Sequence, residues 1–217
     1  MKKLFGLIIV LFIATEQICL SQSHPFDQEV RSLTQKIDSL GWSPGATVFT
    51  GSSTIRMWND LAETFPNNEL INTGFGGSQA IDLKRHLFPL VLKYEPARVF
   101  IYEGDNDLWA DVPAEEIMET FEDIISRILL ANPQTEIYLI GAKPSPSRWE
   151  KESLYREFNQ RLEEFAQKVE KATYIDTWKA LTDSQGKSRP ELYLNDQLHL
   201  NAKGYQIWKS IFRPYFD

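Results

Sequence analysis

The sequence predicts an α/β fold in the form of a three-layer α/β/α sandwich with a five-stranded parallel sheet. Short apolar segments rich in β-branched residues alternate with longer segments in which apolar residues recur at helical spacing. Strands joined by helical crossovers pair in parallel, and the helices cover both faces of the sheet. The 217 residues, 42% of them hydrophobic, are enough for one domain with a full core and short for two.

The N-terminus has the pattern of an export signal. Lys2 and Lys3 precede an apolar run over residues 4–14, which is shorter than the roughly 20 residues that a membrane span needs. We therefore expect residues 1–23 to be a signal peptide and residues 24–217 to form a single domain. Such a domain would be exported to the periplasm or the cell exterior.

The position at which this signal is cleaved determines whether the mature chain keeps a cysteine. The small residues Ser21 and Ser23 offer positions for cleavage. A lipoprotein anchored through Cys19 is the alternative, but Gln17 and Ile18 stand where small residues should precede the cysteine, so we favour the free protein. Cys19 is the only cysteine, so the cleaved chain can contain neither a disulfide nor a cysteine metal site.

The charge of the chain argues against nucleic acid as a partner. The 23 basic and 30 acidic residues give a formal charge of −7, and no run of lysine and arginine is present. Acidity alone indicates little about the substrate, and solubility is its simplest interpretation.

The secondary-structure elements alternate regularly along the mature chain. The spacing of Val30, Leu33, Ile37 and Leu40 predicts an opening amphipathic helix. Buried strands are predicted over residues 46–50, 69–72, 98–102, 136–140 and 173–176. Further helices are predicted over residues 81–92, 113–130, 153–170 and 202–212. We interpret the apolar faces of these helices as core.

Short segments that follow predicted strands carry the groups that a serine esterase needs. These segments are residues 51–53, 72–77, 104–107 and 196–199. Ligands of such sheets bind outside the carboxyl ends of the strands, so the fold would bring the segments to one edge. They could supply a nucleophile, oxyanion donors, a general base and the carboxylate that orients it.

Ser53 is the proposed nucleophile, because a strand-to-helix turn would expose its hydroxyl and leave its N–H free. His199 is the proposed base, with Asp196 as the carboxylate that fixes its tautomer. Structural interpretations stay open, since Ser52 and Ser53 could cap the following helix and Asp196 could cap a turn. Of the other histidines, His86 is expected on the surface of its helix.

Gly77 and the Asn106 amide are the proposed oxyanion donors, together with the N–H of the nucleophile. A flexible glycine turn is the alternative for the first. For the second, Asp105, Asp107 and Asp111 could instead form a carboxylate cluster around a cation. A loop rich in aspartate without a complete ligand pattern is more often a turn, so we predict no metal.

The segments resemble the four sequence blocks of the SGNH hydrolases, also called the GDSL esterase/lipase family. The resemblance runs from about residue 47 to the C-terminus, and the chain is similar to bacterial relatives of the platelet-activating-factor acetylhydrolases. The resemblance implies a flavodoxin-like fold and a serine esterase that needs no cofactor. The site residues that it implies are the nucleophile Ser53, the oxyanion donors Ser53, Gly77 and Asn106, and the triad partners Asp196 and His199.

One departure from the family affects the first block, which usually reads Gly-Asp-Ser. Ser52 takes the place of the aspartate, so Ser52 is itself an alternative nucleophile. Alignment of the block through Phe49 and Gly51 favours Ser53.

The predicted function is hydrolysis of short-chain esters, acetyl esters by preference, through an acyl-enzyme intermediate. The alcohol would be a carbohydrate or a lipid-like group, with Phe75, Trp109 and Trp149 as substrate contacts. Two alternatives from other classes stay open. One is a catalytically inactive carbohydrate-binding protein of the same fold, and the other is a metal-dependent phosphoesterase that uses the aspartates.

Overall fold

A parallel sheet forms the centre of the protein in a computed structural model that describes residues 24–216. Its five strands lie in the order β2-β1-β3-β4-β5. They are β1 (Thr47–Gly51), β2 (Leu70–Asn72), β3 (Arg98–Tyr102), β4 (Glu136–Ile140) and β5 (Ala172–Ile175). This is the flavodoxin-like order, and the predicted fold class is confirmed. The predicted signal peptide and Cys19 lie outside the described residues.

Helices connect the strands and pack on both faces of the sheet. They are α1 (Asp27–Leu40), α2 (Ser53–Arg56), α3 (Leu61–Thr64), α4 (Ala80–Arg85), α5 (Leu87–Leu90), α6 (Asp105–Trp109), α7 (Ala114–Ala131), α8 (Glu152–Ala166) and α9 (Ala202–Phe212). A 3₁₀ helix over Pro146–Lys151 precedes α8. In residues 24–216, none of the helices is long and apolar enough to cross a membrane.

The alternation of side chains along the strands divides the core into two clusters. Val99 and Ile101 of β3 face one side of the sheet, whereas Phe100 and Tyr102 face the other. The first cluster lies beneath α1, α4, α5, α7 and α8, and the second beneath α2, α3 and α9. In the second cluster the ring of Phe49 stacks on that of Phe100, with centroids 4.3 Å apart. The sheet is therefore buried on both faces, as expected for parallel strands.

The main departure from the predicted elements is the helix expected over residues 81–92. The structure divides this segment at His86 into α4 and α5. Pro89 explains the break, because it has no N–H to donate to the carbonyl of Arg85 and its ring would clash with that carbonyl. His86 is also buried rather than exposed, and its Nε2 lies 3.3 Å from the carbonyl of Pro25.

The loop after β2 runs directly against the backbone of α2. A Cβ at Gly74 would lie 2.2 Å from the backbone nitrogen of Arg56 and 2.7 Å from the carbonyl carbon of Ile55. A Cβ at Gly77, three residues later, would meet only the Asn106 amide nitrogen, at 3.9 Å. Close packing therefore requires glycine at the first position and not at the second.

We expect Gly74→Ala to destabilise the fold and Gly77→Ala to leave it nearly unchanged. The added methyl group at Gly74 overlaps backbone atoms that can move only by separating β2 from α2. Overpacking of this kind should lower the free energy of unfolding by about 1–3 kcal/mol and Tm by roughly 2–12 °C. Thermal unfolding followed by circular dichroism measures both variants. Equal Tm values for the two variants would contradict the close approach of the loop to α2.

Candidate active site

The turn between β1 and α2 presents Ser53 to the surface and buries Ser52. Ser52 is 2% exposed, and its backbone N–H donates to the carbonyl of Tyr102 at 3.1 Å. Ser53 is the first residue of α2 and is half-buried, and its Oγ lies 2.9 Å from Nε2 of His199. Of the two serines considered from the sequence, Ser53 is the one that the structure brings to the histidine.

The histidine ring is held from its other side by Asp196. Nδ1 of His199 lies 2.7 Å from Oδ2 of Asp196, and the other carboxylate oxygen accepts the backbone N–H groups of Leu198 and His199 at 2.9 and 3.0 Å. Desolvation would raise the pKa of Asp196, but these hydrogen bonds outweigh it and lower the pKa to about 2. The carboxylate is therefore ionised at neutral pH and accepts the proton on Nδ1, which leaves Nε2 as the acceptor for the Ser53 hydroxyl.

Two backbone N–H groups and one side-chain amide are the candidate oxyanion donors. The first N–H groups of a helix have no partner within it, which includes that of Ser53. Among the residues that the structure describes, neither the Ser53 N–H nor the Gly77 N–H has a protein acceptor. The Asn106 amide nitrogen completes the set, and it lies next to Gly77. The structure thus links the predicted nucleophile, base and carboxylate by hydrogen bonds, and it places the predicted donors Gly77 and Asn106 beside each other.

A buried cluster of charges lies directly behind Asn106, and the sequence did not predict it. The Asp105 carboxylate is 4% exposed, pairs with Nζ of Lys143 at 2.7 Å and also contacts Nη1 of Arg148. It accepts the hydroxyl hydrogen bonds of Tyr102 and Tyr155 at 2.6 and 3.0 Å. Desolvation opposes ionisation, but the attraction of the two cations holds the pKa of Asp105 well below its ordinary value.

The other aspartates of this loop point to separate partners rather than to a common cation. Asp107 accepts the N–H of Ala80 at 3.0 Å, and Asp111 pairs with Lys151 at 2.7 Å. Within residues 24–216, no three His, Cys, Asp or Glu side chains form a group that could hold a metal ion. The carboxylate cluster considered from the sequence is therefore not formed by Asp105, Asp107 and Asp111.

The three predicted substrate contacts differ in how far their rings are exposed. Phe75 is fully buried and packs edge-on against Phe26, with centroids 5.4 Å apart, so its prediction as a substrate contact is wrong. Trp149 is half-buried, and its ring centroid lies 6.1 Å from that of Trp178. Trp109 is 41% exposed at the end of α6, one helical turn from Asn106. Of these three predicted contacts, Trp109 is the one with an exposed side chain.

Glu103 is a further buried acidic residue that the sequence did not single out. It is fully buried at the end of β3, and its Oε1 accepts the Ser78 hydroxyl at 2.7 Å. Among the described residues its Oε2 has no hydrogen-bond partner. Desolvation, reinforced by repulsion from Asp107, raises the pKa of Glu103 well above its ordinary value. An acidic residue inside an apolar strand end is the sequence signal that could have found it.

Comparison with protein families finds one family whose model spans all of these segments. The model of the GDSL-like lipase/acylhydrolase family matches residues 32–207, a range that contains Ser53, Gly77, Asn106, Asp196 and His199. Among curated proteins, no sequence matches the chain.

Solved structures with the same fold include three bacterial proteins. One from Streptococcus pneumonia, provisionally described as a platelet activating factor, has a TM-score of 0.78 and 23% identity, covering 88% of this chain and 92% of that chain. A GDSL-like lipase from Bacteroides thetaiotaomicron has a TM-score of 0.69 and 19% identity, covering 88% and 95%. A catalytic mutant of an acetylxylan esterase from Geobacillus stearothermophilus has a TM-score of 0.67 and 17% identity, covering 81% and 95%. At these identities the likeness shows the shared fold.

The raised pKa of Glu103 predicts that the contribution of this residue to stability falls as the pH rises. The folded protein holds a proton on Glu103 that the unfolded chain releases above the ordinary glutamate pKa, so the contribution of Glu103 to the free energy of unfolding decreases until the pH passes its folded-state pKa. Glu103→Gln keeps an oxygen for the Ser78 hydroxyl and cannot ionise. We expect the difference in unfolding free energy between Glu103→Gln and the parent to rise from pH 5 to pH 8, by at most about 1.4 kcal/mol per pH unit.

Urea denaturation at pH 5, 6, 7 and 8 measures this difference. The exposed Glu119→Gln substitution on α7 corrects for the loss of one carboxylate from the chain. A constant offset, such as the cost of burying an unpaired amide N–H, leaves the slope unaffected. The same difference at all four pH values would show that Glu103 has equal pKa values in the folded and unfolded states.

Proposed function

This chain belongs to the GDSL-like lipase/acylhydrolase family of carboxylic ester hydrolases, and from that premise we propose that it hydrolyses short-chain esters, acetyl esters by preference, through an acyl-enzyme. The observation that carries the proposal is the continuous path of hydrogen bonds from Ser53 Oγ through the His199 ring to the Asp196 carboxylate, with distances of 2.9 and 2.7 Å. A hydroxyl needs such a base to act as a nucleophile at neutral pH.

In the first half of the proposed reaction, Ser53 Oγ attacks the ester carbonyl carbon while Nε2 of His199 takes the hydroxyl proton. The Asp196 carboxylate accepts Nδ1–H throughout and stabilises the imidazolium cation. His199 then gives its proton to the alcohol oxygen as the bond to the acyl carbon breaks. In the second half, water attacks the acyl-enzyme by the same route, and the acid and free Ser53 are regenerated.

The negative charge of each tetrahedral intermediate would be held by the Ser53 N–H, the Gly77 N–H and the Asn106 amide. The two backbone donors have no protein acceptor among the described residues, so they are free to bind the oxyanion without breaking an internal hydrogen bond. Donors of this kind that are already in place cost no reorganisation during the reaction.

Exposure of the site favours a small acyl group on a large alcohol. Ser53 and Asn106 are only half-buried, and the His199 side chain is 21% exposed. Trp109 offers an exposed ring next to Asn106 on which a sugar could stack. The acetylxylan esterase of the same fold acts, by its name, on an acetylated polysaccharide. We therefore propose an acetylated carbohydrate as the substrate class, with a lipid-like acetyl ester as the alternative.

We further propose that the enzyme acts outside the cytoplasm. The proposal depends on the signal-like pattern of residues 1–23. Packing is compatible with cleavage after Ser21 or Ser23, because Phe26, whose ring contacts Phe75, would remain in the mature chain.

Substitution of the proposed triad should abolish hydrolysis of p-nitrophenyl acetate. We expect Ser53→Ala and His199→Ala each to lower kcat/KM by about 10⁴-fold or more, because neither variant can form the activated nucleophile. Ser52→Ala is the matched control, since its hydroxyl is buried and does not face His199. We expect it to keep activity within about threefold of the parent.

Labelling with a serine-reactive fluorophosphonate, repeated with EDTA, completes the test of the nucleophile. Labelling of the parent and of Ser52→Ala, but not of Ser53→Ala, is the expected result. Labelling that persists in Ser53→Ala would move the nucleophile elsewhere, and activity lost with EDTA would favour a metal-dependent reaction.

Acyl-chain length should control the rate. With p-nitrophenyl acetate, butyrate and octanoate, we expect kcat/KM to be highest for acetate and at least about tenfold lower for octanoate. The physical reason is that a half-buried nucleophile at the surface offers little apolar area to a long chain. A preference for the eight-carbon ester would contradict the short-chain proposal while leaving the serine mechanism intact.

A further inference from the structure

The Asn106 carboxamide can serve an oxyanion in only one of its two orientations. Its nitrogen donates and its oxygen accepts, and rotation by half a turn exchanges them with little change in shape. With the oxygen toward the oxyanion, the interaction would be repulsive. Something must therefore fix the orientation before the substrate binds.

Two contacts on opposite sides of the amide fix it together in this structure. Nη2 of Arg148 lies 2.8 Å from Oδ1 of Asn106, and a guanidinium has only donors, so the amide oxygen must face it. Nδ2 of Asn106 lies 2.8 Å from the carbonyl oxygen of Ser78, which only accepts, so the amide nitrogen must face that side. One N–H of the amide is used by Ser78, and the other remains for the site next to Gly77.

Arg148 is itself held more firmly than an ordinary surface arginine. It is 8% exposed, and Nη1 donates to the carbonyl oxygen of Asp105 at 2.8 Å and to the Asp105 carboxylate. The guanidinium thus contacts two successive residues of α6, Asp105 through Nη1 and Asn106 through Nη2. An ion pair with Asp105 alone would need only the first of these contacts. The second is specific to the amide.

The 3₁₀ helix that carries Arg148 also contacts the segment of the histidine. The N–H of Ser147 donates to the carbonyl of Gln197 at 3.0 Å, two residues before His199. The segment Pro146–Lys151 therefore braces the oxyanion amide on one side and the base on the other.

We propose that Arg148 is a positioning residue for hydrolysis, which acts by holding the Asn106 carboxamide with its N–H toward the oxyanion. The proposal rests on the proposed function, in which Asn106 binds that oxyanion. Arg148 has no contact of its own with the substrate in this scheme. Its effect on the rate is therefore transmitted entirely through Asn106, and this distinguishes it from a residue that merely stabilises the fold.

A double-mutant cycle tests this transmission. Arg148→Lys keeps a cation for Asp105 but cannot supply the two-pronged contact with both residues. We expect it to lower kcat for p-nitrophenyl acetate by about 10- to 100-fold with KM nearly unchanged, and Asn106→Ala to lower kcat by about 10²–10³-fold. When Asn106→Ala is already present, we expect Arg148→Lys to cause less than about a twofold further loss. The exposed Arg156→Lys on α8 is the matched control and should keep full activity.

Each result of the cycle decides between a positioning and a structural role. Losses that multiply in the double variant, or full activity of Arg148→Lys, would overturn the proposal. Tm of every variant shows whether it folds, and Arg148→Gln replaces the lysine variant if that variant does not. Ser53→Ala in the same assay distinguishes failure of the proposed function from failure of the proposed role of Arg148. Activity retained in Ser53→Ala would overturn the proposed function itself, whereas the cycle tests Arg148 alone.

Discussion

The pairing of β1 with both β2 and β3 is the constraint on which the site depends. The parallel register places Phe49 beside Asn72 and Gly51 beside Tyr102, so the three strands end at one edge of the sheet. The segments that carry Ser53, Gly77 and Asn106 leave the sheet at this edge. The strand order reverses direction between β1 and β3. Such switch points open a crevice at the carboxyl ends of the strands in flavodoxin-like sheets. Only the Asp196–His199 segment must reach the site from farther along the chain.

Hydrogen bonds between these segments fix their positions relative to one another. The Asn72 side chain accepts the N–H of Gly74 at 2.9 Å and donates to the carbonyl of Ile55 at 2.8 Å, which ties the loop after β2 to α2. Asp107 in turn accepts the N–H of Ala80 and ties α6 to the start of α4. Each loop of the site is therefore bonded to a neighbour, and the free N–H groups are held in place by a rigid surrounding.

The groups predicted from the sequence are those that local position determines. Ser53, Asn106 and His199 follow strands or precede helices, and strand ends can be placed from apolar patterns and turn residues. The break in the helix over residues 81–92 could also have been predicted from Pro89, because proline stops a helix for local reasons. What the sequence could not predict depends on distant contacts. Phe75 looked like a substrate contact beside the glycines, but it turns inward onto Phe26, a residue 49 positions earlier in the chain.

The polar groups around Asn106 contribute more to orientation than to stability. A buried ion pair is often no more stabilising than an apolar replacement, because the desolvation of both charges opposes their attraction. Asp105 has two cations and two hydroxyls around it, whereas Glu103 has one hydroxyl and one oxygen without a partner among the described residues. Both nevertheless lie beside the same amide, Asp105 through Arg148 and Glu103 through Ser78. An apolar side chain in place of Arg148 could present no donor to the amide oxygen, whereas the acceptor for the amide nitrogen is the backbone carbonyl of Ser78.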